Sequence, residues 1–436
     1  MSGVNAFRAS ILHCLADPGN DGDTDAVEYF EDGIMVVSDG RISGLGPADS
    51  MLSSLSNDIE VTDFSGRLII PGMIDCHVHY PQTDIIASYG EQLLDWLNKY
   101  AFPEEQKFID EAYASEVANF FADALLSNGT TTALVFSTVH SQSVDAMFSS
   151  AKQRNMRLIT GKVLMDRNCP QELQDTAESA YQQSRELIER WHGDGRLGYA
   201  ITPRFAVTST EAQLRAMGKL ASEFPDVHIH THLAENKAEC ELVAEQFPSS
   251  RSYLDVYKEF GLLRERSMFA HCLHLDEEDR QTMAKLNGSI AFCPTSNLFL
   301  GSGLFDLKSA EEAGIRVGVG TDVGGGTSLN MLTTLSEGYK VLHLQGQSLP
   351  PFKSLYLATL GAAKALYLDD RIGNFMIGQE ADFVVLDSAS APMTARRLSR
   401  SEDVAEKLFA LLMMGDDRAV SATYLMGECA YSDLRS

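Results

Sequence analysis

The central part of the chain alternates short apolar segments with longer amphipathic ones, and this alternation restricts the possible folds more than any other feature. Eight of the short segments are strand-like: LIIPGMIDCHVH, TTTALVFST, RLITGKVLMD, RLGYAITPRF, DVHIHTHL, MFAHCLHL, SIAFCPTS and IRVGVGTD. Helical stretches lie between them. Because alternating strands and helices form parallel sheets, and eight such units can close on themselves, the sequence predicts an α/β fold with a (β/α)₈ TIM-type barrel rather than an open sheet.

One of the helical stretches covers residues 104–129. Its large apolar residues recur at helical spacing: Val117, Phe120, Phe121 and Leu125. The dipeptide Asn128-Gly129 follows them and is typical of a helix C-cap. The pattern predicts a helix that ends at Asn128.

Both ends of the chain have the pattern of β-structure. GIMVVSDGRISGLG predicts two strands joined at Asp39-Gly40, a favoured hairpin turn. ADFVVLD and VSATYLMGECAYS are strand-like near the C-terminus, with a turn at Gly427. A barrel alone needs about 250 residues, fewer than the 436 of this chain. We therefore expect a barrel formed by residues 67–371 and a small composite β-sandwich domain formed by residues 1–66 and 372–436.

The charge of the chain argues against a polynucleotide substrate. The net charge is −26, and Lys and Arg form no cluster that could displace counterions from a phosphate backbone. A small neutral substrate fits this charge better, because the overall field neither steers nor repels it strongly.

The cysteine pattern and the hydropathy indicate a cytoplasmic protein that does not contact a membrane. The seven cysteines are scattered and include no Cys-x-x-Cys pair, which is typical of a reducing compartment. The N-terminus has no convincing signal peptide. No apolar run approaches the ~18 residues that span a bilayer.

Two histidines close the first barrel strand. His77 and His79 are two positions apart, so both side chains point to the same side of the strand. They lie at its C-terminal end, where the active sites of barrel enzymes lie. Two imidazoles at this spacing can share one zinc-sized ion.

Other strand ends add polar side chains to the same rim. In HIHTHLAE, His228, His230 and His232 share a face, but only His232 should reach the barrel mouth, and Glu235 follows it in a loop. His271 and Asp322 close two further strands. Packing does not explain this convergence, so the sequence predicts a metal site. The histidines deeper in the strand, His228 and His230, are expected to fill a layer of the barrel interior.

These motifs resemble those of the amidohydrolase superfamily. PGMIDCHVH, HLAE, a strand-end histidine and GTD occur in the superfamily's order between about residues 66 and 330, and IGQEADFVVLD resembles its return into the β domain. HVHYPQ, QLLDWLNKYAFPEEQKF, GKVLMDRN, TPRFAVTST and GTDVGGG are, more narrowly, similar to the guanine deaminase family. The LLDWL…FPEE segment is the most specific of these. Cys76 replaces the usual Thr before the first ligand, but its side chain points away from the metal.

The resemblance implies a mononuclear zinc site, with Fe²⁺ as the alternative metal, and a homodimer. The implied ligands are His77, His79, His232 and Asp322. Bound zinc lowers the pKa of a water from ~15.7 towards ~7, and Asp322 would take the proton of that water. Glu235 would protonate N3 of guanine as hydroxide attacks C2, releasing ammonia and xanthine. His271 would orient the hydroxide or stabilise the developing charge.

Further positions match family residues that hold the purine: Gln82, Arg204 and Phe205, beside His79 and His232. Three residues have more than one possible role. Arg204 could instead be a structural ion-pair residue, and Trp96 could form either a pocket wall or part of a core-facing helix stripe. Lys162 occupies a position where binuclear relatives use a carboxylated lysine, but GKVLMD favours a structural role.

Two alternatives to guanine deamination remain at this stage. One is the same hydrolytic chemistry on another amino-purine, cytosine or a triazine. The other is a catalytically silent barrel that serves as a binding protein, although such relatives typically lose metal ligands that are all present here.

Overall fold

The computed structural model describes residues 3–56, 58–90 and 92–433. Eight parallel strands form the central sheet, in the order β5-β6-β7-β9-β10-β11-β12-β13, and the short strand β8 extends the pairing beside β9. These strands are β5 Met73–His79, β6 Thr130–Phe136, β7 Arg157–Gly161, β8 Val163–Leu164, β9 Leu197–Pro203, β10 His228–Leu233, β11 Ser267–His271, β12 Ser289–Phe292 and β13 Arg316–Val319. The predicted eight-fold barrel is confirmed.

Backbone hydrogen bonds close the barrel at its C-terminal rim. The N–H of Asp322 donates to the carbonyl of His77 at 2.8 Å, and the N–H of His79 donates to the carbonyl of Val323 at 2.7 Å. These bonds join the first strand to the segment that follows the last strand. They place His77, His79 and Asp322 on adjacent backbone.

The two ends of the chain form one seven-stranded sheet, in the order β16-β15-β14-β4-β1-β2-β3. Its strands are β1 Val4–Cys14, β2 Val27–Ser38, β3 Arg41–Pro47, β4 Val61–Pro71, β14 Phe383–Leu386, β15 Val420–Leu425 and β16 Glu428–Ser432. Buried rings from both ends pack together, with Phe383 stacked on Tyr424 at 4.5 Å between centroids. This sheet confirms a small β domain built from both ends. The boundaries at residues 66/67 and 371/372 stay predictions.

The first predicted strand differs from the observed structure. LIIPGMIDCHVH forms the end of β4 and all of β5, which lie in different sheets. The chain changes sheets at Gly72, whose N–H donates to the carbonyl of Asp382 rather than to a barrel strand. The hydrophobic pattern could not show this break, because both strands are buried where they meet.

Helices surround the barrel and cover part of the terminal sheet. They are α1 Ala48–Ser54, α2 Leu93–Trp96, α3 Phe102–Glu105, α4 Glu111–Ser127, α5 Ser141–Gln153, α6 Ala177–Trp191, α7 Glu211–Glu223, α8 Lys237–Gln246, α9 Tyr253–Glu259, α10 Glu277–Lys285, α11 Pro294–Phe299, α12 Leu307–Glu312, α13 Met331–Leu344, α14 Pro351–Ala358, α15 Leu360–Ala365, α16 Pro392–Leu398 and α17 Val404–Met414. Over the described ranges, none of these helices has both the length and the apolarity to cross a membrane. All seven cysteines are free thiols.

In helix α4 the predicted C-cap is confirmed, but one of the four apolar residues that were predicted to share a face is exposed. Asn128 ends the helix, and Gly129 follows with a φ of +79°. Val117, Phe121 and Leu125 are buried, whereas Phe120 is 62% exposed. The buried residues are spaced by four positions, and Phe120 lies one position, or about 100° of rotation, away from Phe121.

A buried ion-pair network joins the barrel to the segment that leads into β14. Glu380 accepts from Arg157 Nη2 at 2.5 Å and from Arg196 Nη2 at 2.8 Å, and Arg196 also pairs with Asp382. Burial tends to raise the pKa of Glu380, but the two guanidinium groups outweigh it and lower that pKa. The carboxylate is therefore charged at neutral pH.

Replacing Glu380 with Gln should lower the free energy of unfolding by about 3–5 kcal/mol, because it leaves the buried guanidinium of Arg157 without its counter-charge and leaves Arg196 with Asp382 alone. Urea unfolding followed by circular dichroism measures this change. The matched control is Glu189→Gln, since Glu189 pairs with Arg185 at 3.0 Å on the exposed face of α6. That change should cost only about 0–1 kcal/mol. Equal small losses in the two variants would contradict the structural role of the network.

Candidate functional site

Four side chains converge at the C-terminal rim of the barrel. His77 and His79 lie at the end of β5, His232 on β10 and Asp322 just after β13. One donor atom from each lies within 4.8 Å of those of the other three. His79 Nε2 is 3.2 Å from His77 Nε2 and 3.2 Å from His232 Nε2. Asp322 Oδ1 is 3.1 Å from His77 Nε2 and 3.3 Å from His79 Nε2.

These spacings fit a tetrahedral ion. Bonds of about 2.0–2.1 Å to zinc set the ligand atoms about 3.3 Å apart. Burial lowers the pKa of His79 to about 3 and lowers the pKa of His77 and His232. The imidazoles are thus neutral at pH 7, the form in which they bind a cation. Three imidazoles and one carboxylate suit zinc or iron.

Second partners orient two of these imidazoles. His232 Nδ1 donates to the backbone carbonyl of Arg204 at 2.7 Å, which leaves Nε2 as the free ligand atom. His77 Nδ1 is 2.7 Å from His230 Nε2. His230 is therefore more than a barrel filler, because it holds the ring of His77. Its position on the same strand face as His232 was the available signal for this role.

His228, deeper in the same strand, hydrogen-bonds to the backbone. Its Nε2 is 2.9 Å from the carbonyl of Leu366. This contact agrees with the predicted role of His228 as a filler of the barrel interior.

Glu235 and His271 lie beside the four-residue cluster. Glu235 Oε1 accepts from the hydroxyl of Ser302 at 3.0 Å, and Oε2 is 3.4 Å from His271 Nε2. Burial, with the nearby charge of Asp322, raises the pKa of Glu235 to about 8, although the bond from Ser302 opposes this. A carboxyl group in this environment is protonated at pH 7 and can act as an acid.

His271 is fixed by a residue that the sequence did not single out. Its Nδ1 donates to Asn297 Oδ1 at 2.8 Å, so Nε2 carries the free lone pair. Nε2 points towards Glu235 and lies 3.7 Å from Asp322 Oδ2. Neither Asn297 nor Ser302 has a sequence signal, because both lie in the segment after β12 that folds over the rim.

Cys293 also lies near this site, since Cys293, His271 and Asp322 could together offer three ligand atoms. Burial raises the pKa of the Cys293 thiol well above its usual value, with the charge of Asp322 adding to the effect. The thiol bonds to the backbone carbonyl of Ala291 at 3.4 Å. A neutral thiol is a poor metal ligand, so the set with three histidines is the better metal site.

A small cavity opens at the rim beside Glu235, His271 and Asp322. The lining combines the rim residues with an apolar wall: His79, Gln82, Leu93, Trp96, Leu97, Arg204, Phe205, His232, Glu235, His271, Leu300, Asp322 and Gly325. Trp96 therefore forms part of the pocket wall.

Gln82 and Arg204 form the polar side of the cavity, and both contact Glu105. Gln82 Nε2 donates to Glu105 Oε1 at 3.0 Å, and Arg204 Nη1 donates to Glu105 Oε2 at 2.7 Å. Arg204 thus combines both alternatives that the sequence left open, because it is ion-paired and also lines the cavity. Sequence reasoning missed Glu105, although FPEE was recognised as a specific motif.

Lys162 takes no part in the cluster. Its ammonium group is buried and pairs with Asp175 at 2.5 Å. This contact favours the structural role over a carboxylated metal bridge.

Comparisons with known proteins give a consistent result. The chain matches the amidohydrolase family over residues 68–429. It is 51% identical over 429 residues to the guanine deaminase of Escherichia coli (strain K12), a match that covers 98% of each sequence. A solved structure of the E. coli guanine deaminase superposes with a TM-score of 0.97 at 49% identity, covering 98% of this chain and 100% of that one. A guanine deaminase from C. acetobutylicum with guanine bound in its active site superposes with a TM-score of 0.89 at 27% identity, covering 98% of this chain and 100% of that one.

Proposed function

The chain belongs to the amidohydrolase family and, within it, to the guanine deaminases, and we propose from this premise that it hydrolyses guanine to xanthine and ammonia. The observation that carries this function is that Glu235, whose pKa burial raises to about 8, lines the same cavity as the donors Gln82 and Arg204 and members of the four-residue cluster. The cavity thus brings groups that can bind a purine together with groups that can react with it.

His77, His79, His232 and Asp322 are the residues that would hold the metal, which we propose to be one zinc ion per chain, with Fe²⁺ as the alternative. A bound zinc ion supplies a Lewis acid that makes water nucleophilic near neutral pH. The support is the donor set and its spacing, which match a tetrahedral ion.

The surrounding residues move the protons of the reaction. Asp322 accepts a proton from the attacking water through Oδ2, the oxygen on the His271 side. Glu235 donates its proton to N3 of guanine as the new C2–O bond forms, which prevents a negative charge from accumulating on the ring. His271 accepts a hydrogen bond from the water at Nε2 and so holds it against C2. The proton on Asp322 then passes to the 2-amino group, and the C2–N bond breaks to release ammonia. The proton that remains on the C2 hydroxyl returns to Glu235 as the C2 carbonyl of xanthine forms.

The cavity wall orients the ring for this attack. Arg204 and Gln82 offer N–H donors to the C6 carbonyl oxygen of the purine. Phe205 and Trp96 provide apolar faces beside the ring. Burial of the whole site limits the entry of bulk water, which strengthens each of these polar contacts.

Purified protein should consume guanine and release one ammonia for each xanthine formed, as followed by ultraviolet absorbance and an ammonia assay. Guanine left intact while another amino-purine, cytosine or a triazine is consumed would contradict the substrate assignment. Protein that holds no metal, and gains no activity when zinc is supplied, would instead support a silent binding protein.

We also propose a homodimer in the cytoplasm that acts on a small molecule. The homodimer is what the resemblance to the guanine deaminases implies. The seven free thiols suit a reducing compartment. Light scattering of the purified protein tests the dimer directly.

A further inference from the structure

We infer that Glu105 is a positioning residue that fixes the hydrogen-bond donors facing the substrate carbonyl, and so sets the preference for a purine that carries this carbonyl. The inference rests on the proposed function. Glu105 lies at the end of α3, outside the barrel, and its side chain is 1% exposed. It does not line the cavity, so it acts through the two residues that do.

The carboxylate of Glu105 binds both polar residues of the cavity wall. Its Oε1 accepts from Gln82 Nε2 at 3.0 Å and from Arg204 Nη1 at 2.9 Å, and its Oε2 accepts from Arg204 Nη1 at 2.7 Å. Burial of a carboxyl group is costly without a partner, and Arg204 supplies one at 2.7 Å. The pair with Arg204 has no net charge, which suits a neutral ring.

Glu105 also determines which way the amide of Gln82 faces. Gln82 Oε1 accepts from the N–H of Gly324 at 3.2 Å while Nε2 donates to Glu105. Reversing the amide would place oxygen against oxygen at one end and N–H against N–H at the other. The amide is therefore locked, and its second N–H hydrogen remains available for a substrate acceptor.

The guanidinium of Arg204 is locked from two sides. Glu105 holds Nη1, and the ring of Phe102 lies 5.3 Å from Cζ. Phe102 and Glu105 are the first and last residues of α3. The short helix therefore fixes the plane of the guanidinium and leaves its other N–H groups to donate into the cavity. This contact gives a physical reason for the specificity of the FPEE motif.

A site built in this way should discriminate strongly against a ring without the carbonyl. Leaving a buried hydrogen-bond donor without an acceptor costs far more binding free energy than losing an apolar contact. 2-Aminopurine has the reacting 2-amino group of guanine but no carbonyl at position 6, so it gains nothing from the locked donors. Removing Glu105 should therefore weaken the use of guanine and leave the binding of 2-aminopurine almost unchanged.

The test measures two constants in the metal-loaded enzyme: kcat/KM for guanine and the inhibition constant of 2-aminopurine as a competitor. Glu105→Gln should lower kcat/KM for guanine about 100-fold and change the inhibition constant by less than about 3-fold. Glu105→Asp keeps a carboxylate at this position but shortens its reach to both Gln82 and Arg204. This variant should fold readily, and its kcat/KM for guanine should fall about 10-fold.

The matched control is Glu104→Gln. Glu104 is the neighbouring buried carboxylate, and it binds Tyr113 and Lys107 rather than the cavity wall. Its replacement should change the two constants by the same small factor. The inference is overturned if the Glu105 variants change both constants equally, or change neither. If the wild-type enzyme leaves guanine intact, the proposed function fails first, and the inference fails with it.

Discussion

Replacing Glu235 with Gln should lower kcat for guanine by about 10²–10⁴-fold, the usual contribution of a positioned general acid. The amide keeps the shape of the side chain and can still accept from Ser302, but it has no acidic proton for N3. Stopped-flow or steady-state absorbance measures the loss. Metal content should stay at the wild-type level, because Glu235 is outside the group of four converging donor atoms.

The same substitution should change the pH profile. The proposed mechanism needs the protonated form of Glu235, so activity should be present below the pKa of this group and should be lost as pH rises through it. Glu235→Gln cannot titrate and should lack this alkaline limb. Near-normal turnover in the variant, or an unchanged alkaline limb, would show that another group delivers the proton.

The barrel and the convergence of the four rim side chains were predictable because local pattern and fold rules agree there. Alternation of strands and helices predicts parallel strands, and parallel strands bring their C-terminal ends to one rim. Residues at these ends, such as His77, His232 and Asp322, can therefore be placed together although they are far apart in sequence. His79 could be placed with them because it lies two positions after His77 in the same strand, so both side chains point to the same side.

The supporting residues could not be predicted, since their contacts depend on loop paths rather than on periodicity. Ser302 bonds Glu235 across 67 positions and Glu105 binds Arg204 across 99. Both lie in segments outside the barrel strands, whose course over the rim no repeat pattern specifies. Asn297 occupies a comparable segment, and its amide has no distinctive neighbours in the sequence.

The same limit explains the two fold-level differences. The residues before and after the change of sheet at Gly72 are all buried, so the hydropathy pattern is that of one continuous strand. The exposure of Phe120 depends on which helical face α4 presents to its neighbours. Periodicity identified the helix, but with adjacent aromatic residues it could not choose between Phe120 and Phe121.

The largest loss is expected for a metal ligand. Replacing His79 with Ala should reduce the metal content from one ion per chain to almost none and should abolish turnover of guanine, because three donors bind zinc far more weakly than four. Elemental analysis of the purified protein and the ammonia assay measure both effects. His228→Ala is the matched control, since it also removes a buried barrel imidazole, but His228 bonds to the backbone carbonyl of Leu366 and lies outside the four-residue cluster. The control should lose stability while keeping its metal and most of its activity. Retention of metal by His79→Ala, or an equal loss of metal in both variants, would rule out the assigned ligand set.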